Sequence, residues 1–343
     1  ELSAVAIDES GEFAVVGFRS GRVRLIRNLP EAIERGPDST VDYFGHRRVI
    51  TSLAINGSGS LAASGGSDGL VRVWDTQTGV PAPYHLRHPA GPINALAFSP
   101  DDRWIVTAGP RSVRVFELGT GSLVNELEVD GAARAVAFAP DGELFAVGDS
   151  SGNIFLLGPG GTQGVQAIRG RSPINVLRFA DSPELLASGS SDGNFVLWNT
   201  LEGRAVSGAR RFSAPVHWIG FSSGESRIRV QSGSWLYDLD QDAADLAVTA
   251  ATLLPTGVRS GPALAESASE PPMIRALASV GGGQLALAEI WPVAAAPEFS
   301  AGQSELSSGP AVAPEISGDG RDWRWILGLE IENESGRVQI VSP

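Results

Sequence analysis

Two glycine-bounded segments carry the residue types of an activated serine: Gly65-Gly66-Ser67-Asp68-Gly69 and Gly189-Ser190-Ser191-Asp192-Gly193 both fit G-x-S-x-G. That pattern serves a nucleophile when it forms a strand-to-helix elbow beside an accessible histidine. The only histidines are His46, His85, His88 and His217, and both segments lie between strand-like runs, so they read as turns. His85 and His88 form H-x-x-H, a spacing open to two metal ligands, but no acidic or cysteine cluster beside them completes a coordination set. The acidic run at 238–245 resembles a calcium loop without its glycine and closing glutamate, and reads as a solvated strand end. Asn56-Gly57-Ser58 and Asn333-Glu334-Ser335 match the glycan acceptor pattern and read as turns. No catalytic, metal or cofactor residue is assigned from these motifs.

The elements that must hold these residues repeat. LAASGGSDGLVRVWD at 61–75 recurs as LLASGSSDGNFVLWN at 185–199, an offset of 124 residues, or three steps of about 41, the length of one four-stranded propeller blade. An inward strand starts at Leu2, Ile50, Ile93, Ala133, Ile174, Val216 and Ile274, with steps of 48, 43, 40, 41, 42 and 58. Seven restarts of one apolar pattern outrank any local motif. The turns Ser99-Pro100-Asp101-Asp102 and Ala139-Pro140-Asp141-Gly142 have the chemistry of tight bends between paired strands.

In the second repeat, Gly45-His46 precedes the first strand, Trp74-Asp75 closes the third, and Ser64 and Asp68 lie between them. These residues resemble the WD-repeat β-propeller family. The resemblance implies that His46, Ser64, Asp68 and Trp74 form a structural hydrogen-bonded relay inside the blade. The fifth repeat keeps Ser188, Asp192 and Trp198 but has Gly170 at the histidine position; in the third, His88 stands one residue out of register and Phe116 replaces the tryptophan. The expected fold is all-β, a seven-bladed β-propeller of four-stranded antiparallel blades. It is expected to be a single domain over 1–343, with a low-complexity insertion at about 292–322 in the last blade. Closure of the ring is expected to bring Leu2–Arg27 against Trp323–Ser342.

Composition narrows the function. A formal charge of −13 opposes general binding to nucleic acid or anionic membranes. All 26 basic residues are arginine, which excludes lysine chemistry and points to a GC-rich bacterial source. The absence of cysteine removes disulfides and thiolate chemistry and fits the cytoplasm, although a removed signal sequence would leave no trace. No apolar run is long enough to span a membrane. The chain opens at Glu1 inside a repeat, so upstream domains are expected.

What remains is surface. The loops expected around the channel carry Arg19, Arg47, Arg48, Arg111, Arg134 and Arg171, a basic face suited to an acidic or phosphorylated peptide. His217 and Trp218 start an inner strand beside that face and are candidate partner anchors. The expected function is a non-catalytic protein-interaction scaffold or sensor propeller within a larger bacterial protein or assembly, without a cofactor. The resemblance implies scaffold roles, and sensor regions beside NTPase, kinase or protease modules. The alternatives are a propeller enzyme with a channel metal or acid site, and a structural subunit using blade edges and the 292–322 insertion.

Overall fold

The structure is a computed structural model that describes residues 2–8, 13–27, 40–88, 91–160, 166–206, 208–221, 227–233, 235–241, 246, 248–253, 274–280, 284–290, 329–332 and 338–341. The expected insertion at about 292–322, the turn at Asn333 and Trp323 lie outside them.

Described strands run from Leu2–Ile7 to Val338–Val341 and form six antiparallel sheets of four or more strands plus two hairpins. The first sheet is Leu2–Ile7, Phe13–Phe18, Val23–Arg27 and Thr40–Tyr43 in chain order; the second is Ile50–Ile55, Leu61–Gly66, Leu70–Asp75 and Leu86–Arg87. The third, fourth, fifth and sixth begin at Ala95–Phe98, Ala133–Phe138, Ile174–Phe179 and Val216–Phe221. First strands of successive sheets are neighbours, and Ile274–Val280 lies beside both Val216–Phe221 and Leu2–Ile7. The amino-terminal strand therefore meets a segment some fifty residues upstream of Trp323. The hairpins Ile274–Val280/Gln284–Ile290 and Leu329–Glu332/Val338–Val341 lie next to one another through Gln284–Ile290 and Leu329–Glu332.

Each sheet buries both faces, so the core lies between sheets. Val15, Leu25 and Tyr43 of the first pack on Ile50, Ala62 and Trp74 of the second; Val71, Val73 and Leu86 of the second pack on Ile93, Ile105 and Phe116 of the third. The same layering joins the third to the fourth, the fourth to the fifth and the fifth to the sixth. This is why the second strands read as continuous apolar or small-residue runs instead of alternating.

A size rule governs the innermost layer. A Cβ on Gly65 would lie 2.7 Å from Cβ of Ile93, one on Gly148 2.7 Å from Cβ of Ile174, and one on Gly189 2.8 Å from Cβ of Val216. The smallest residue of one sheet thus faces the branched residue that starts the next. In the third sheet the corresponding position is Ala108, and the residue starting the fourth sheet is Ala133, both fully buried. Bulk traded across the seam keeps the spacing constant.

Candidate functional site

Two groups of residues carry polar chemistry, the relay inside the sheets and a cavity lined largely from the first strands. In the second sheet, Asp68 leaves the turn after Leu61–Gly66, His46 comes from the loop before Ile50, and Ser64 projects from the strand between them. His46 Nδ1 lies 3.1 Å from Asp68 Oδ1 and Nε2 lies 2.7 Å from Ser64 Oγ. Burial holds the imidazole below its ordinary value, so the neutral ring donates from Nδ1 to Asp68 and accepts the Ser64 hydroxyl at Nε2. Burial alone would raise Asp68, but hydrogen bonds from His46 and from the Arg47 backbone N–H leave it below the usual carboxylate range. Trp74 stacks on Tyr43 at 4.8 Å and meets the His46 ring edge-on. The trio has the elements of a serine triad, yet Ser64 is 0% exposed, so no substrate carbonyl can reach its hydroxyl.

The fifth sheet holds the complementary half. Trp198 Nε1 donates to Ser188 Oγ at 2.8 Å, while Asp192 accepts from Ser190 Oγ at 2.6 Å and from Asn194 Nδ2 at 2.7 Å. Without a histidine, the aspartate closes its own turn. Gly170 lies against the carbonyl of Gly152, which its N–H also meets at 2.8 Å, so a side chain there would collide with backbone.

The third sheet corrects the sequence reading of His88. Its ring packs under Gly109 as His46 packs under Gly66, and it is 2% exposed, so it fills the relay position despite its shifted register. Nε2 donates to the Ser112 carbonyl at 3.0 Å, while Nδ1 is buried without a partner. The cause is the turn: Gly109-Pro110-Arg111-Ser112 is one residue shorter than Gly66-Ser67-Asp68-Gly69-Leu70 of the second repeat and carries Arg111 in place of an aspartate. His85, by contrast, is exposed on the outer side. The H-x-x-H pair therefore splits between surface and interior.

His46 and His88 are both held below the histidine value of 6.5, burial being the largest cause. In the unfolded chain they take up protons at a higher pH than in the folded one, so stability is retained above 6.5 and lost as pH falls toward the folded values. Denaturation midpoints measured at about pH 7.5 and about pH 5.5 should show this loss, and His88→Gln should remove part of it. An unchanged pH slope in that variant contradicts the assignment.

The second group lines a cavity of about 500 Å³ formed by Thr51, Asn94, Ala132, Arg134, Ser150, Asn175 and His217. Thr51, Asn94, Arg134, Asn175 and His217 each hold the second position of a first strand or the residue before it, so five repeats contribute one polar side chain apiece. Several of these side chains tie neighbouring sheets together. Thr51 Oγ1 donates to the Ile93 carbonyl, Asn94 Nδ2 to the Ala133 carbonyl at 2.8 Å and Asn175 Nδ2 to the Val216 carbonyl at 3.2 Å. Ser191, the central serine of the second G-x-S-x-G, donates to Asn175 Oδ1 at 2.8 Å. Arg134 and His217 supply the ionisable groups. Burial lowers the His217 pKa, and the Arg134 charge lowers it further.

Arg134 and His217 are thus brought together from the fourth and sixth sheets. Trp218 is half-buried with its indole against Gly220 and does not line this cavity. Arg19, Arg47, Arg48, Arg111 and Arg171 are exposed in the turns and loops on the same end of the sheets, outside the cavity. Gly21, at φ +86°, brings the turn after Arg19 against the carbonyls of His46 and Arg48, and Gly152, at φ +90°, packs against the backbone of Arg171 and Ser172. Close backbone approach at positive φ is what glycine permits. The cavity-lining amides of Asn94 and Asn175 were not anticipated from sequence, although both follow an anchor isoleucine. Among the described residues no group of three or more His, Asp or Glu forms a metal cage, and no helix is long and apolar enough to cross a membrane.

Four-stranded antiparallel sheets stacked face to face with an Asp–His–Ser relay resemble the WD-repeat β-propellers, and comparison with known proteins supports an all-β, propeller-like fold. Residues 1–160 match the family described as nucleolar protein 10-like, N-terminal domain, and residues 163–199 match the WD domain, G-beta repeat. The chain is 29% identical over 214 residues to mouse WD repeat-containing protein 90, covering 57% of this chain and 11% of that protein. It is 41% identical over 88 residues to the small ribosomal subunit protein RACK1 of Schizosaccharomyces pombe, covering 26% of this chain and 27% of that one. With the WD repeat-containing protein SL1-17 of Schistosoma mansoni it shares 30% over 167 residues, 48% of this chain and 55% of that protein. The matched part thus spans from about a tenth to about half of these relatives, all of them eukaryotic. The crystal structure of the computationally designed Ika8 protein superposes with a TM-score of 0.62 at 22% identity over 74% of each chain, a likeness of fold alone.

Proposed function

We propose that this chain is a single seven-bladed propeller, its last blade built from the two carboxyl-terminal hairpins, that works as a non-catalytic interaction scaffold. Its partner is a protein segment carrying acidic groups, received at the loop end of the channel. The observation that carries this reading is the channel-mouth cavity, where Arg134 and His217 converge amid amide and hydroxyl groups with no carboxylate among the lining residues. The exposed Arg19, Arg47, Arg48, Arg111 and Arg171 extend that positive field in a chain of net charge −13, so attraction is confined to one end. The relay histidines His46 and His88 are buried within their sheets, where they serve the fold.

Affinity capture with quantitative mass spectrometry tests this. Arg134→Glu combined with Arg47→Glu and Arg48→Glu is expected to reduce recovery of a specific partner about tenfold or more, because each reversal replaces attraction by repulsion at the contact. Equal recovery of every partner by the two proteins rejects the basic-end reading.

A further inference from the structure

Three arginines occupy one register position. Arg24, Arg72 and Arg114 stand in the third strands of the first, second and third sheets, opposite Val16, Ser64 and Thr107. Two of them have a carboxylate directly across in the fourth strand. Arg24 Nε and Nη2 donate to Asp42 at 2.7 and 2.9 Å, and Arg114 Nε and Nη2 donate to Glu126 at 2.8 and 3.0 Å. Arg114 also donates to the carbonyl of Arg87, in the fourth strand of the second sheet. In the fourth, fifth and sixth sheets the position holds Phe155, Val196 and Tyr237, opposite Val147, Ser188 and Val230. The site therefore takes an uncharged residue or an arginine with its acid.

Arg72 breaks the rule. Its guanidinium packs against Gly45, with Cζ 2.6 Å from where a Cβ would stand, and its Nε is buried without a hydrogen-bond partner. Pairing in the second sheet sets Leu70 against Arg87 and Val71 against Leu86, so the next place across from Arg72 falls to His85. The fourth strand ends before it, at Leu86–Arg87, and His85 is exposed. Among the described residues, an arginine whose two counterparts are each held by a bidentate carboxylate is left with none. Beside it, Phe44 precedes Gly45 and is 73% exposed.

We propose that Arg72 is a docking point for an acidic side chain of a partner protein, on the outer shoulder of the second sheet between Phe44 and His85. The incoming segment presents an Asp or Glu to the guanidinium and an apolar residue to Phe44, replacing in trans the carboxylate that Asp42 and Glu126 supply in cis. Because Nε is covered while the side chain is part-exposed, the carboxylate meets the terminal nitrogens. A charge-assisted pair of this kind supplies direction as well as affinity. This shoulder lies apart from the channel mouth, so the inference does not depend on the proposed function.

Selection of a random displayed peptide library against the whole chain, followed by binding of the enriched synthetic peptides measured by fluorescence anisotropy, tests the site. The expected peptides carry Asp or Glu next to an apolar residue. Their affinity is expected to fall about tenfold or more in Arg72→Gln, as for loss of a charge-assisted hydrogen-bonded pair. His85→Glu should produce the same loss by filling the site from within, and it preserves the fold because it restores the acid found at Asp42 and Glu126. Enrichment without acidic peptides, affinity unchanged in His85→Glu, or affinity lost in Arg134→Glu instead overturns the proposal.

Discussion

Replacing Gly148 by valine is expected to destabilise the protein by about 2–3 kcal/mol, because overpacking a filled core forces side chains off their rotamers and shifts backbone. The added Cβ alone would stand 2.7 Å from Cβ of Ile174, which is buried at the start of the fifth sheet and has nowhere to move. The cost falls on the seam between two sheets, so unfolding should remain cooperative with a lowered denaturant midpoint. Combining Gly148→Val with Ile174→Ala should recover part of the loss, since the bulk removed from one side makes room for the other. Additive losses in that double variant, measured by urea denaturation, contradict the size rule. Because Ala108 and Ala133 already share one seam evenly, the structure contains its own example of the compensated state.

Replacing His46 by alanine is expected to cost about 3 kcal/mol, combining a cavity with the desolvation penalty of buried groups left unpaired. Ser64 loses its acceptor and Asp68 its Nδ1–H donor, although the Arg47 N–H still meets the carboxylate. The converse change should fail to help: Gly170→His would push a side chain into the Gly152 carbonyl and is expected to destabilise instead of completing the fifth relay. Thermal denaturation of the two variants compares them directly. A neutral His46→Ala or a stabilising Gly170→His would remove the relay from the account of stability.

Much of the architecture was legible in the chain. The anchors Ile50, Ala133, Ile174 and Val216 each begin a strand, and Ile93 stands two residues before one, because a repeat that buries the same face must restart the same apolar pattern. The relay of His46, Ser64, Asp68 and Trp74 was implied by resemblance to a family and not by spacing; in the second sheet His46 lies within hydrogen-bond distance of Asp68 and Ser64, and Trp74 meets its ring edge-on. His88 was misjudged because a one-residue offset in an irregular loop changes the count without changing where the ring ends up. Asn94 and Asn175 were missed since a polar residue after an anchor looks like any exposed strand position until the strands are arranged about an axis.

The sequence by itself determined the unit: its period, its strands and turns, and the alternation of small and branched residues that lets one sheet stack on the next. These are local matters, set by side-chain volume and backbone preference within some forty residues. Tertiary structure alone decided which polar groups find each other across repeats: Arg134 beside His217 at the channel, and Arg72 without the acid that Arg24 and Arg114 possess. Such pairings depend on the path of a fourth strand and on the closure of strands around a channel. A charge has no partner until the chain has curved back far enough to supply or withhold one.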